Sequence, residues 1–174
     1  TPIVAAIHPE MNLKELRGRV SPEASSEMVE LLVENGADVD ARAGFDRTPI
    51  HLAALAGAEE CCRVLIQSGA DLSERDDLGF TPLHYAAFGD HRGLAEQLLA
   101  AGSDPNAPAE LGYAPLHTAA EKGALGVTEV LLAGGANINA RTEHSRTPLA
   151  LARQRKRTEL AEFLLQRGAQ EAGA

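Results

Sequence analysis

The chain runs to 174 residues, of which 44% are hydrophobic and 24% charged, the balance of a folded domain rather than a disordered segment. A net charge of -9 at pH 7 disfavours general phosphate binding, and no apolar run approaches the roughly 18 residues that a membrane span needs. The two cysteines, Cys61 and Cys62, are neighbours and cannot clamp distant segments. Aromatics make up 3% and tryptophan is absent, so the core has to be built from Leu, Ala, Val and Ile. No signal-peptide pattern is visible, and a reducing, cytoplasmic setting is expected. The start at Thr1 rather than Met leaves room for residues upstream.

In chain order, the first helix start reads Thr1-Pro2-Ile3, and the next, Thr48-Pro49-Ile50-His51, follows 47 residues later. From there the step is regular. Thr81-Pro82-Leu83-His84, Ala114-Pro115-Leu116-His117 and Thr147-Pro148-Leu149-Ala150 each follow the last by 33 residues. A second marker keeps the same step, at Gly36-Ala37, Gly69-Ala70, Gly102-Ser103, Gly135-Ala136 and Gly168-Ala169. Each unit carries its own punctuation. Thr offers a hydroxyl to an orphan N–H at a helix start, Pro suits the first turn, and Gly suits the left-handed residue that ends a helix. Two short helices are expected per unit. Small residues on the first helices (Ala53-Ala54, Ala86-Ala87, Ala119-Ala120) allow close approach, and Leu65, Leu98, Leu131 and Leu164 fill the layer behind. Segments such as Arg75-Asp76-Asp77-Leu78-Gly79 read as tight polar turns between units. No unit can bury its apolar faces alone, so stacking has to hold the chain together.

The 33-residue period and the Thr-Pro-Leu-His tetrad resemble the ankyrin-repeat family, over about residues 26–169. The resemblance implies an all-α solenoid of about five helix-turn-helix repeats joined by β-turn fingers, in one domain spanning residues 1–174. Residues 1–47 are expected to form an irregular first repeat with an insertion of about 14 residues within 8–25; an unrelated cap over 1–25 is the alternative. Repeats at 48–80, 81–113 and 114–146 follow, and 147–174 closes the stack. There Arg153 and Lys156 replace small residues, giving the polar outer face that a terminal repeat needs.

No catalytic or metal site and no cofactor is expected. Phosphate loops, dinucleotide fingerprints, GxSxG and HExxH are absent. His8, His91 and His144 have no partner at metal-ligand spacing. The resemblance implies that His51, His84 and His117 are structural. Cys61 and Cys62 are expected as buried hydrophobes. The acid pairs Glu59-Glu60 and Asp76-Asp77 are expected on solvated helix faces and turns. Asn106 and Asn139 match a slot hydroxylated by an asparaginyl dioxygenase in some eukaryotic ankyrin proteins, but local turn bonding is the simpler reading.

Slots filled alike in every repeat are scaffold, and slots that vary are surface. One turn slot reads Phe45, Leu78, Leu111, His144 and another Arg47, Phe80, Tyr113, Arg146. Phe88 stands at the end of a first helix. In ankyrin proteins these turns and first helices form the concave face that commonly grips partners. Phe45, Leu78, Phe80, Phe88, Leu111 and Tyr113 are therefore the candidate partner-binding residues, expected as an apolar patch. The expected function is non-catalytic binding of a partner protein, with no small-molecule substrate and no membrane. An inhibitor or immunity-type protein that occludes an enzyme or toxin, or a regulatory or targeting segment of a longer chain, are alternatives. A catalytic site in the insertion is a remote third. Charge is uneven, with seven bases and four acids in residues 140–174 and net -12 over the rest. The cluster Arg153, Arg155, Lys156 and Arg157 suits a helix terminus better than nucleic acid, which so acidic a body disfavours.

Overall fold

A computed structural model describes Pro2 and residues 22–170, with side chains from Ser26 onward. Nine α-helices occur among the described residues. They are α1 (Pro22–Glu34), α2 (Pro49–Ala56), α3 (Glu59–Gln67), α4 (Pro82–Gly89), α5 (Arg92–Ala100), α6 (Pro115–Lys122), α7 (Leu125–Ala133), α8 (Pro148–Gln154) and α9 (Thr158–Gln166). The pairs α2/α3, α4/α5, α6/α7 and α8/α9 repeat the same motif, and α1 packs on α3. First helices stack on first helices (α2 on α4, α4 on α6, α6 on α8), and second helices stack behind them. The chain is an all-helical, two-layered solenoid of the ankyrin kind. The expected insertion falls, up to residue 21, outside the described residues; from Pro22 the chain is already helical.

The small residues do what their size predicts. Ala53, Ala54, Ala86, Ala87, Ala119 and Ala120 are fully buried between neighbouring first helices. Leu65, Leu98, Leu131 and Leu164 are fully buried behind them. Each repeat's first helix opens with Thr or Ala in extended backbone and Pro at the first helical position. α2 and α6 end on left-handed Gly57 and Gly123. At Gly57 the positive φ favours glycine, and a side chain there would have to displace the His91 ring. Asp90 takes the same left-handed slot after α4, and its Oδ1 accepts the Val127 N–H at 2.9 Å, capping α7 of the next repeat.

The repeated histidines join units to each other. Nδ1 of His51, His84 and His117 accepts the main-chain N–H of Thr48, Thr81 and Ala114 at 3.2, 3.1 and 3.0 Å. Across the ring, the Nε2–H groups donate to Phe80 O (2.9 Å), Tyr113 O (3.0 Å) and Arg146 O (3.1 Å), each the residue just before the next unit's helix start. An N–H facing Nδ1 and carbonyls facing Nε2 fix one neutral tautomer. Burial lowers all three pKa values, that of His84 from 6.5 to about 4.

Candidate functional site

The fingers project between repeats as tight turns closed by main-chain bonds, Ala43 N–H to Arg47 O (2.9 Å), Asp76 N–H to Phe80 O (3.0 Å), Ala109 N–H to Tyr113 O (2.7 Å) and Thr142 N–H to Arg146 O (3.0 Å). Neighbouring fingers are then tied together at their tips. Phe45 O accepts from Asp77 N–H at 3.1 Å, Leu78 O from Glu110 N–H at 3.1 Å, and Leu111 O from Glu143 N–H at 2.9 Å. Main-chain bonds thus place the tip residues in a row. Phe45 is 69% exposed, Leu78 49% and Leu111 47%. Phe45 and Leu111 hold left-handed backbone, at φ 63° and 56°. Bulky residues rarely do so, and such strain persists only where the surroundings enforce it.

The other candidates are placed differently. Phe80 is half-buried, stacked on His84 with ring centroids 5.0 Å apart and edge-on to Tyr85 at 5.8 Å. Tyr113 is also half-buried, tilted against His117 at 5.6 Å and with the Arg146 guanidinium 5.7 Å from its ring centre. Both pack across the turn while keeping one edge in solvent. Phe88 is exposed at the end of α4, six residues past Pro82 and so about 9 Å along the helix. The Lys122 ammonium lies 3.7 Å from its ring centre. Phe45, Leu78 and Leu111 therefore form one ridge, Phe80 and Tyr113 its flank, and Phe88 a separate apolar point.

Asp76 overturns the expectation that both members of the pair Asp76-Asp77 are solvated. Asp77 is exposed, but Asp76 is buried. Its Oδ1 accepts the N–H groups of Leu78 (2.9 Å) and Phe80 (2.8 Å), shaping the second finger from inside. Its Oδ2 accepts the Tyr85 hydroxyl at 2.5 Å, and the Arg47 guanidinium, 3.7 Å away, also donates to Tyr85 Oη at 2.9 Å. Burial and the adjacent carboxylate push the Tyr85 phenol up to about 12. A carboxylate in a low-dielectric site needs such partners. A signal was present in the sequence. The slot reads Ala43, Asp76, Ala109, Thr142, small residues in three of four fingers, and Thr142 Oγ1 shapes its own turn by accepting Arg146 N–H at 3.1 Å.

The remaining candidates are structural. Cys61 and Cys62 are buried, and burial raises both thiols above their ordinary pKa, the opposite of an activated nucleophile. Asn106 Oδ1 accepts Asn137 N–H at 2.8 Å and Asn139 Oδ1 accepts Gln170 N–H at 2.8 Å, so this slot bonds across a repeat boundary. Among the described residues no group of three or more His, Cys, Asp or Glu is placed to hold a metal ion, and no helix is long and apolar enough to cross a membrane. An open cavity beside Arg75 and Ser103 holds about 170 Å³ and another beside Lys122 and Arg157 about 260 Å³. Both fall below the roughly 300–1,000 Å³ of small-molecule pockets.

No curated protein matches the chain. A family model of ankyrin repeats, in three copies, matches residues 20–109 and 89–172. Proteins built from these repeats are generally protein–protein interaction modules and are typically non-catalytic. With nearly the whole chain matched and the stacked helix pairs in place, the protein belongs to the ankyrin-repeat family.

Proposed function

We propose that the chain is a non-catalytic binding module that holds a partner protein against the finger tips and concave face of its second to fourth repeats. The observation that carries this reading is the ridge of Phe45, Leu78 and Leu111, three large apolar side chains left in solvent and joined tip to tip by main-chain bonds. Exposed apolar groups in a contiguous row mark interaction surfaces, and aromatic anchors supply much of the energy at such surfaces. The ridge is preorganised, so binding costs little ordering entropy.

The acidic body favours one more specific reading, an inhibitor or immunity-type role in which the ridge occludes a basic face of an enzyme or toxin. A regulatory or targeting segment of a longer chain would use the same ridge. A cytoplasmic setting belongs to this proposal and rests on the two adjacent cysteines, which cannot form a disulfide framework.

The test is affinity capture from a lysate of the source cells, with the wild type beside a Phe45→Ser, Leu78→Ser, Leu111→Ser variant of unchanged helicity. A protein retained by the wild type and lost by the variant identifies the partner and puts its site on the ridge. Equal retention by both sinks the ridge as the binding face.

A further inference from the structure

At the base of the fingers one slot meets four repeat boundaries and bridges three of them. Asp40 Oδ1 accepts Asp71 N–H at 3.1 Å, Asn106 Oδ1 accepts Asn137 N–H at 2.8 Å, and Asn139 Oδ1 accepts Gln170 N–H at 2.8 Å. The remaining member of the series is Ser73, and the 33-residue step makes Asp104 its partner. A serine hydroxyl sits one bond nearer the backbone than the oxygen of Asp or Asn. This one is turned back on its own finger and donates to Asp71 Oδ1 at 2.6 Å. No described residue accepts the Asp104 N–H.

The 170 Å³ cavity lies at this boundary, lined by Ser73 and Arg75 on one side and by Gly102, Ser103 and Asp104 on the other. Ser103 is a second departure from the pattern, since its slot holds Ala37, Ala70, Ala136 and Ala169 in the other copies. It is 8% exposed, and its hydroxyl has no hydrogen-bond partner. Buried hydroxyls are rarely left so. Arg75 uses one nitrogen, Nη1, to donate to the Pro108 carbonyl at 2.5 Å. The two departures from the repeat pattern therefore meet at one cavity, bordered by donors that lack an acceptor.

The next boundary shows which group fits. There Asn106 takes the Asn137 N–H on Oδ1 and donates from Nδ2 to Gly135 O at 3.1 Å. One repeat earlier the corresponding groups are the Asp104 N–H and Gly102 O, and no described residue donates to Gly102 O. A carboxamide satisfies both groups with one planar head. A carboxylate accepts the N–H but sets a second acceptor against Gly102 O. It also faces acidic Asp104 in a protein of net charge -9. The cavity is well above the roughly 10–15 Å³ that a single water needs, so a side-chain head group enters it.

We infer that this cavity is a binding site for a primary carboxamide, carried on an Asn or Gln side chain of a partner protein. Its oxygen accepts from the Asp104 N–H and its NH₂ donates to Gly102 O. That the carrier is a protein rests on the reading of the chain as a binding module; the site itself does not.

The probes are acetamide and its isostere acetate, and the peptide acetyl-Ala-Gln-Ala-methylamide beside its Glu counterpart. Each is titrated into the protein while the main-chain amide resonances of Ser103 and Asp104 are followed by NMR. The titrations are repeated on Ser73→Asn, which fills the slot with the residue that bridges the next two boundaries. The expected result is a saturable shift of both resonances with acetamide and the Gln peptide, at least about tenfold weaker in Ser73→Asn. Acetate and the Glu peptide should give no comparable shift, and the urea midpoint of Ser73→Asn should be no lower than that of the wild type. An equal or larger response to the carboxylates would make this an anion site and overturn the inference. So would no shift with any probe, shifts undiminished in Ser73→Asn, or a lowered midpoint in that variant. A response to acetamide without the Gln peptide would overturn the partner side chain as the source of the amide. The ridge is tested apart from this site, since the capture experiment leaves Ser73 unchanged.

Discussion

The second to fourth repeats and the last repeat share a period and a helix pair, yet they are closed in different ways. In the central repeats His51, His84 and His117 each receive an N–H at their own helix start and donate to the main-chain carbonyl just before the next unit's helix start. The repeat at 147–174 has no histidine at this position. There Ala150 stands in the histidine's slot, and the Thr147 hydroxyl itself accepts the Ala150 N–H at 3.2 Å. Its apolar residues Leu149, Leu151, Leu160 and Leu164 form a second, smaller cluster with Ala120 of the preceding repeat, Arg155 and Arg157 donate back to Glu121, and Arg153 and Lys156 are exposed. The difference shows that the histidine belongs to the junction between repeats rather than to the repeat. That agrees with solenoid stability as a sum over units and nearest-neighbour interfaces.

Acid should break the comparison most strongly. The three histidines titrate lower in the fold than in the unfolded chain, so protonation favours unfolding. Their contribution is complete above about pH 6.5 and is lost as pH falls below it, for His84 as pH falls toward 4 and by about 3 kcal/mol. Urea midpoints taken from pH 7.5 to pH 4 should fall steeply, and amide exchange should show the central junctions opening before the last repeat's own helix start.

Substitution should reproduce that contrast at neutral pH. His84→Ala removes a buried ring and leaves the Thr81 N–H and the Tyr113 carbonyl unpaired, a loss of about 3 kcal/mol by urea denaturation. The reverse change in the last repeat, Ala150→His, adds a ring at a partly exposed position outside these junctions and should move stability by less than about 0.5 kcal/mol. Asp76→Ala should cost about 2–3 kcal/mol, because it leaves the Leu78 and Phe80 N–H groups and the Tyr85 hydroxyl without their acceptor. The smallest effect belongs to the ridge. Phe45→Ser and Leu78→Ser remove side chains already half or more in solvent and should each change stability by less than about 0.5 kcal/mol.

The architecture was legible in the sequence because its determinants lie close together in the chain. Thr-Pro-Leu-His fixes a helix start within four residues, Gly a helix end within two, and the 33-residue step repeats both. The small residues sharing the slot of Asp76 hinted at burial, but its partners Arg47 and Tyr85 belong to the units on either side and reach it only after stacking. Phe80 and Tyr113 share a slot with Arg47 and Arg146, so variation alone gave no sign that their rings lie half-buried on the histidines beneath. The tip row needed the bonds between fingers, which join residues 32 apart and leave no local trace.

That the junctions hold stability while the finger tips hold binding is tested most directly by one paired measurement. Urea midpoint and captured partner are read together for His84→Ala and for the Phe45→Ser, Leu78→Ser, Leu111→Ser variant, each against the wild type. The result predicted is a lowered midpoint in the first, and in the second a wild-type midpoint with the partner gone. A tip variant that keeps both its midpoint and every wild-type partner would contradict the claim.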